Sequence, residues 1–325
     1  MATLNDVQKV AAETLKGPLL ILAGAGAGKT KTIVERIVNL VKSGISPNKI
    51  LAITFTNKAA GEMRERVHLA LSQAEFNRPV SIDTHPFVST FHALGVHILK
   101  EQSALLGLPR HFSIFDKDDS KRAIREAIKK AGLDPKQYEP GKISSIISRE
   151  KGNFITLDEY EANAGDDYLK RTVARVWKSY EETLAEEKAL DFDDLLLKTA
   201  LLLKRNISVA THYQQVWKYV HIDEYQDTNH VQYQIAKIIS AGHRNICVVG
   251  DIDQNIYSWR GAQIKNIIDF EKDYPEAKVI LLEQNYRSTK TILAVANAVI
   301  KKNKMRREKN LFTDNAAGEK VGLYE

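Results

Sequence analysis

The segment Ala23-Gly24-Ala25-Gly26-Ala27-Gly28-Lys29-Thr30 lies between an apolar run and an amphipathic one. Its glycines allow backbone N–H groups to curl around the β- and γ-phosphates of a nucleotide, and a helix starting there adds partial positive charge. Lys29 supplies a cation for phosphate oxygens, and the Thr30 hydroxyl suits a magnesium shell. The segment fits the Walker A pattern, with alanine at the first glycine position. A merely flexible turn is the competing reading. The flanking strand and helix patterns argue against it.

Two further segments carry groups that hydrolysis needs. His221-Ile222-Asp223-Glu224-Tyr225-Gln226-Asp227 closes an apolar run with adjacent carboxylates. Asp223, at the strand end, is placed to hold magnesium through water, and Glu224 to accept the proton of an attacking water. An Asp-Glu pair alone says little, because such pairs abound on surfaces. Downstream of a Walker A pattern it points to hydrolysis rather than binding alone. His221 reads as packing or surface. In residues 248–261 a strand runs into an acidic loop with Gln254, followed by Tyr257, Trp259 and Arg260. Gln254 can sense the γ-phosphate. Trp259 offers a face on which a base can stack, against a competing role in a packing layer.

These groups need a sheet to position them. Residues 19–22, 50–55, 87–91, 216–222, 246–250 and 279–282 read as strands, being short, apolar and punctuated by turn residues. Ile33, Val34, Ile37, Val38 and Val41 recur at helical spacing until Gly44 and Pro47. Further helical patterns cover 58–71, 231–240 and 262–272. Strand–helix–strand order with short connections makes a parallel sheet. Between about residues 93 and 210, long charged helical segments such as 120–131 and 168–188 replace this rhythm. The expected fold is α/β: a P-loop NTPase parallel sheet flanked by helices and interrupted by an all-helical insertion subdomain.

Composition narrows the class without choosing the function. The 325 residues suit two domains on a scale of ~100–200 residues each. A single cysteine, Cys247, excludes an intrachain disulfide framework and suits a reducing cytoplasm. Scattered histidines without further cysteines assemble no zinc-ligand spacing. No apolar stretch approaches the ~20 residues of a membrane span, and the N-terminus has no basic-then-apolar leader pattern. The formal charge of +6 is compatible with nucleic-acid binding but common elsewhere. The basic run 301–310 reads as a solvated helix end or loop.

Taken together, the motifs resemble those of the superfamily 1A DNA helicases of the UvrD, Rep and PcrA group. Leu4-Asn5-Asp6-Val7-Gln8 resembles the Q motif, AGAGAGKT motif I, TFTNKAAGEMRERV (54–67) motif Ia and STFHALG (89–95) motif Ib. ALDFDDLL (189–196) resembles motif Id, DEYQDTN (223–229) motif II, VVGDIDQNIYSWRGA (248–262) motif III and LEQNYRS (282–288) motif IV. Their collinear order is far more specific than any one of them.

The resemblance implies a RecA-like fold and further site residues. Ala23 to Thr30, with Lys31 beside them, would bind ATP. Gln8 would hydrogen-bond the adenine edge, Tyr286 would stack on it, and Arg287 would reach the γ-phosphate as an arginine finger. Phe55, Asn57, Phe91, His92, Tyr257 and Trp259 would contact single-stranded DNA. Arg260 would couple the nucleotide and DNA sites. Phe55 and Phe91 lie at strand ends, where core packing competes with that role. The implied activity is ATP- and Mg2+-dependent 3′-to-5′ translocation on single-stranded DNA, with unwinding at duplex junctions. The alternatives are the ATPase part of a helicase–nuclease and a non-motor ATP/DNA-binding module.

Ala27 and Ile252 stand where that family more often has serine and aspartate, and its motifs V and VI do not follow. The resemblance assigns 1–92 and 211–280 to RecA-like subdomain 1A, 93–210 to helical subdomain 1B, and 281–325 to the start of a second RecA-like subdomain 2A. A polypeptide with one complete lobe is expected to fold, to bind ATP weakly and single-stranded DNA modestly, and not to unwind duplexes alone.

Overall fold

The computed structural model describes residues 3–75, 85–258, 261–303 and 309–322. From the N-terminus run α1 (Asp6–Glu13), β1 (Leu19–Ala23), α2 (Lys29–Lys42), β2 (Ile50–Thr54), α3 (Asn57–Ser72) and β3 (Phe87–Thr90). Then come α4 (Phe91–Glu101), β4 (Ser113–Phe115), α5 (Lys117–Lys130), α6 (Pro140–Gly152), α7 (Leu157–Ala162), α8 (Tyr168–Glu186), β5 (Ala189–Asp191), α9 (Phe192–Arg205) and α10 (Ile207–Val216). The remainder is β6 (Tyr219–Ile222), α11 (His230–Ser240), β7 (Ile246–Gly250), α12 (Lys265–Asp273), β8 (Lys278–Leu282) and α13 (Lys290–Ile300). Two compact units result: residues 1–90, 211–228 and 239–325, and residues 91–210 with 229–238.

The first unit holds a six-stranded sheet in the order β3-β2-β6-β7-β1-β8, every pairing parallel. β1, β2, β6 and β7 are buried along their whole length, as expected of strands covered on both faces. Ile33, Val34, Ile37, Val38 and Val41 of α2 are buried against this sheet's core, on the face that their spacing predicts. Parallel register brings the carboxyl ends of β1, β2, β6 and β7 to one edge, where open α/β sheets bind their ligands.

The second unit packs α5, α6 and α8 around Trp177, Tyr180, Ile124 and Ile147. It is not purely helical, because Ser113–Phe115 and Ala189–Asp191 pair as a three-residue parallel ladder. Asp191 ends that ladder by capping α9: its carboxylate accepts from the Asp194 N–H at 2.7 Å. Strand boundaries also differ from the expected ones by one to three residues. Residues 216–218 lie outside β6, with Trp217 buried and stacked on Tyr213 from α10. Phe91 opens α4 rather than closing β3. Among the described residues, no helix is long and apolar enough to cross a membrane.

Candidate functional site

The glycine loop leaves β1 at Ala23 and enters α2 at Lys29. Gly26 and Gly28 take φ values of 68° and 80°, a region that glycine occupies without steric cost. Lys29 and Thr30 thus stand in the first turn of α2, facing the end of β6. Lys29 Nζ lies 2.5 Å from Glu224 Oε2, and Thr30 Oγ1 donates to Asp223 Oδ2 at 3.2 Å. Burial, and then the neighbouring Glu224 charge, raises the Asp223 carboxyl to about 6. The same two causes raise Asp227 to about 6. Glu224 adopts φ 50° and ψ 46°, a left-handed conformation uncommon outside glycine, just after the strand. Lys29, Thr30, Asp223 and Glu224 are therefore brought together at the start of α2 and the end of β6.

The loop is braced from both ends of the chain. Gln8, buried at the start of α1, donates from Nε2 to the Ala27 carbonyl at 2.9 Å, and its Oε1 accepts from the Asn5 N–H. Gln8 is thus positioned against the loop, with one amide hydrogen already committed to it. Asn285 is the stronger brace, and its role was not legible in the sequence. It is buried, donates from Nδ2 to the Ala25 carbonyl at 2.6 Å, and accepts from the Arg287 and Ser288 N–H groups at 2.8 and 2.7 Å. The Tyr286 N–H donates to the Gly26 carbonyl at 3.0 Å. Its ring is exposed, with the hydroxyl tied to Asn5 and Gln284. Arg287 is exposed, and its Cβ would be 2.7 Å from a Cβ added at Gly26.

A third group of residues links the β6 end to the loop after β7. Gln226, fully buried, donates from Nε2 to Glu224 Oε2 at 2.8 Å and accepts the Asp251 N–H at Oε1 at 2.9 Å. Its own carbonyl accepts from Asn255 at 2.6 Å. Gln254 donates to Asp251 Oδ2 at 2.5 Å, so its side chain is turned towards the loop's own carboxylate. Lys309 pairs with Asp251 and, at 3.1 Å, with Asp253. Its side chain is 8% exposed, unlike the solvated basic run expected for 301–310. Burial and then the like charge of Lys29 pull Lys309 down to about 8. The roles of Gln226 and Lys309 are likewise not legible in the sequence; an amide inside an acidic motif and one lysine in a basic run carry no distinguishing signal.

Of the candidate DNA residues, Phe55 and Tyr257 stack with centroids 5.0 Å apart and planes at 25°, both half-buried. Asn57, at the start of α3, is exposed, and its Oδ1 accepts from the Thr90 hydroxyl at 3.4 Å. In the second unit Phe91 is buried, and His92 lies 5.5 Å from Phe192 with burial lowering its pKa to about 4. Trp259 and Arg260 lie outside the described residues.

The sequence has relatives along almost its whole length. Residues 4–275 match the UvrD/REP helicase N-terminal domain, and residues 280–325 match the UvrD-like helicase C-terminal domain. The chain is 47% identical over 324 residues to the "ATP-dependent DNA helicase PcrA" of Staphylococcus aureus, covering 99% of this chain and 43% of that protein. It is 45% identical over 324 residues to the protein of the same name from Staphylococcus epidermidis, with the same coverage of each. The chain thus spans less than half the length of these relatives. On the extent of the N-terminal domain match, it belongs to the UvrD/REP helicase family.

Proposed function

We propose that this chain forms the ATP-hydrolysing portion of an ATP-dependent 3′-to-5′ DNA helicase that translocates on single-stranded DNA. The observation that carries the reading is the convergence of Lys29 and Thr30 with Glu224 and Asp223 at the ends of β1 and β6. The Thr30 hydroxyl and Asp223 carboxylate are hard oxygen donors of the kind Mg2+ prefers, and they are the residues that would hold it. Bound there with ATP, the ion would neutralise charge on the phosphates. The chain's own residues do the rest. Loop N–H groups and Lys29 hold the phosphates, Glu224 takes a proton from the attacking water, and Gln254 and Arg287 meet the γ-phosphate. Gln8 and Tyr286 serve the adenine.

Phe55 and Tyr257, with Asn57, Phe91, His92, Trp259 and Arg260, serve the DNA strand. Stacking reads no base edges, so binding is tolerant of sequence. By this reading residues 1–92 with 211–280, 93–210 and 281–325 correspond to subdomains 1A, 1B and the start of 2A. The likeness to the PcrA helicases supports DNA as the partner. The test is ATP hydrolysis by the full protein with and without single-stranded DNA, alongside Lys29→Ala. ATP turnover stimulated by DNA and lost in the variant is the expected result. Undiminished turnover in Lys29→Ala would refute it.

A further inference from the structure

Asp251 organises the turn after β7. Its side chain accepts the Asp253 N–H at 3.0 Å and the Gln254 amide at 2.5 Å, while its own N–H is held by Gln226. Asp251 and Asp253 leave only 3% and 8% of their side chains exposed. Two nearly buried carboxylates in one turn repel each other and need a counter-charge. Lys309 supplies it, pairing with both.

Lys309 is not a loose lysine that happens to be near. The segment behind it is anchored by the Asn310 N–H to Glu283 Oε1 at 2.6 Å, the Phe312 N–H to the Glu283 carbonyl at 3.1 Å, and Asn297 Nδ2 to the Leu311 carbonyl at 2.9 Å. Leu311 fills the space beside Gly24, where an added Cβ would overlap it. Lys309 therefore belongs to the stretch matched by the C-terminal-domain model, while the turn it clamps belongs to the N-terminal one.

We infer that Lys309 is a positioning residue for hydrolysis: it fixes the Asp251–Gln254 turn, and through Asp251 it sets the Gln254 amide for the γ-phosphate. The inference rests on the nucleotide reading proposed above. Because Lys309 acts through Gln254, its loss slows turnover rather than weakening nucleotide binding. Arginine, which keeps the charge and can bridge two carboxylates, substitutes for it.

The test is steady-state ATP hydrolysis by the full protein carrying Lys309→Met, Lys309→Arg, Gln254→Ala, or Lys309→Met with Gln254→Ala. Lys309→Met is expected to lower kcat by ~10–100-fold, the scale on which misplacing a reacting group matters, with KM little changed. Lys309→Arg should recover most of that loss. The double variant should be no slower than Gln254→Ala alone. Wild-type kcat in Lys309→Met, or losses that multiply in the double variant, would overturn the inference. If Lys309→Met does not fold, adding Asp251→Asn and Asp253→Asn removes all three charges of the cluster. Restored folding with kcat still depressed is then expected, and wild-type kcat overturns the idea. ATP turnover that survives Lys29→Ala points instead to failure of the nucleotide reading.

Discussion

The Lys29 ammonium lies 2.5 Å from Glu224 Oε2, so the loop's cation and the candidate general base neutralise each other across the gap between α2 and β6. A triphosphate on the loop must compete with Glu224 for Lys29. Replacing Glu224 by glutamine removes the competitor without removing the phosphate ligand. Glu224→Gln should therefore bind ATP at least as tightly as the wild type. Its turnover should fall by ~10²–10⁴-fold, the range of a lost general base. Titration with a fluorescent ATP analogue, followed by single-turnover hydrolysis, separates the two effects. Normal turnover per bound nucleotide would make Glu224 a structural ion-pair partner only.

Gln226 satisfies Glu224 and the Asp251 N–H with the two ends of one amide. Leucine in its place fills similar volume but leaves a buried N–H unpaired, a penalty of ~1–3 kcal/mol. Gln226→Leu should slow hydrolysis more than it weakens ATP binding, because the group it releases is Glu224. Gln226→Glu should be worse, since a third carboxylate would then face Glu224 and Asp227. Measuring kcat and KM separately checks this; a pure KM effect would place Gln226 in binding rather than in positioning.

Asn285 and Gly26 make a second, sterically tight contact. A Cβ at Gly26 would lie 2.7 Å from the Arg287 Cβ and 2.8 Å from Asn285 Nδ2, on a backbone with φ 68°. Gly26→Ala therefore combines conformational strain of ~1–3 kcal/mol with displacement of the brace. Both Gly26→Ala and Asn285→Ala should weaken ATP binding while leaving the sheet intact. Isothermal titration with ATP and a thermal melt distinguish this from unfolding. Unchanged affinity in both variants would show that the loop holds its shape without Asn285.

The sheet and the phosphate loop were legible because their signals are local. Strands buried on both faces are continuous apolar runs, and the loop needs glycine at fixed positions between strand and helix. Glu224 and Asp223 were legible for the same reason, lying at the end of such a run. The roles of Gln226, Asn285 and Lys309 were not, because each depends on which distant group its side chain meets. The ladder between 113–115 and 189–191 is not legible in the sequence for a related reason. Three residues are too few to show an alternating pattern, and their pairing spans a long stretch of chain.

Phe55 and Tyr257 support each other as a stack, so neither ring stands alone. On the proposed DNA role, removing one loses a stacking surface worth ~1–3 kcal/mol per base and also releases the other ring. Phe55→Ala and Tyr257→Ala should each weaken single-stranded DNA binding about equally, and the double variant should be less than additive. Affinity should also fall steeply with salt in all of them, since phosphate neutralisation releases counterions. Fluorescence anisotropy with an oligothymidylate across salt concentrations gives both quantities. Fully additive losses would mean that the rings act independently.

Lys151 is fully buried in the second unit, with Nζ at 2.8 Å from Asp194, 2.9 Å from Asp191 and 3.0 Å from Glu181. Burial disfavours its charge, but Asp194, Asp191 and Glu181 outweigh that and raise its pKa well above the usual lysine value. Burial and Asp191 together push Asp194 up to about 7 even with Lys151 pulling the other way. Lys151→Met leaves these carboxylates without their central cation, a change of ~3–5 kcal/mol for a broken buried pair. The pH dependence has a definite sign. Without Lys151 the folded-state pKa of Asp194 rises further above its unfolded value, so the fold takes up a proton that the unfolded chain does not hold. Stability then increases as pH falls towards the unfolded value. Urea melts of Lys151→Met and wild type between pH 8 and pH 5.5 should show a deficit that shrinks with acidity. A deficit constant across that range would mean that the carboxylates find another counter-charge or water, and that Lys151 acts through packing alone.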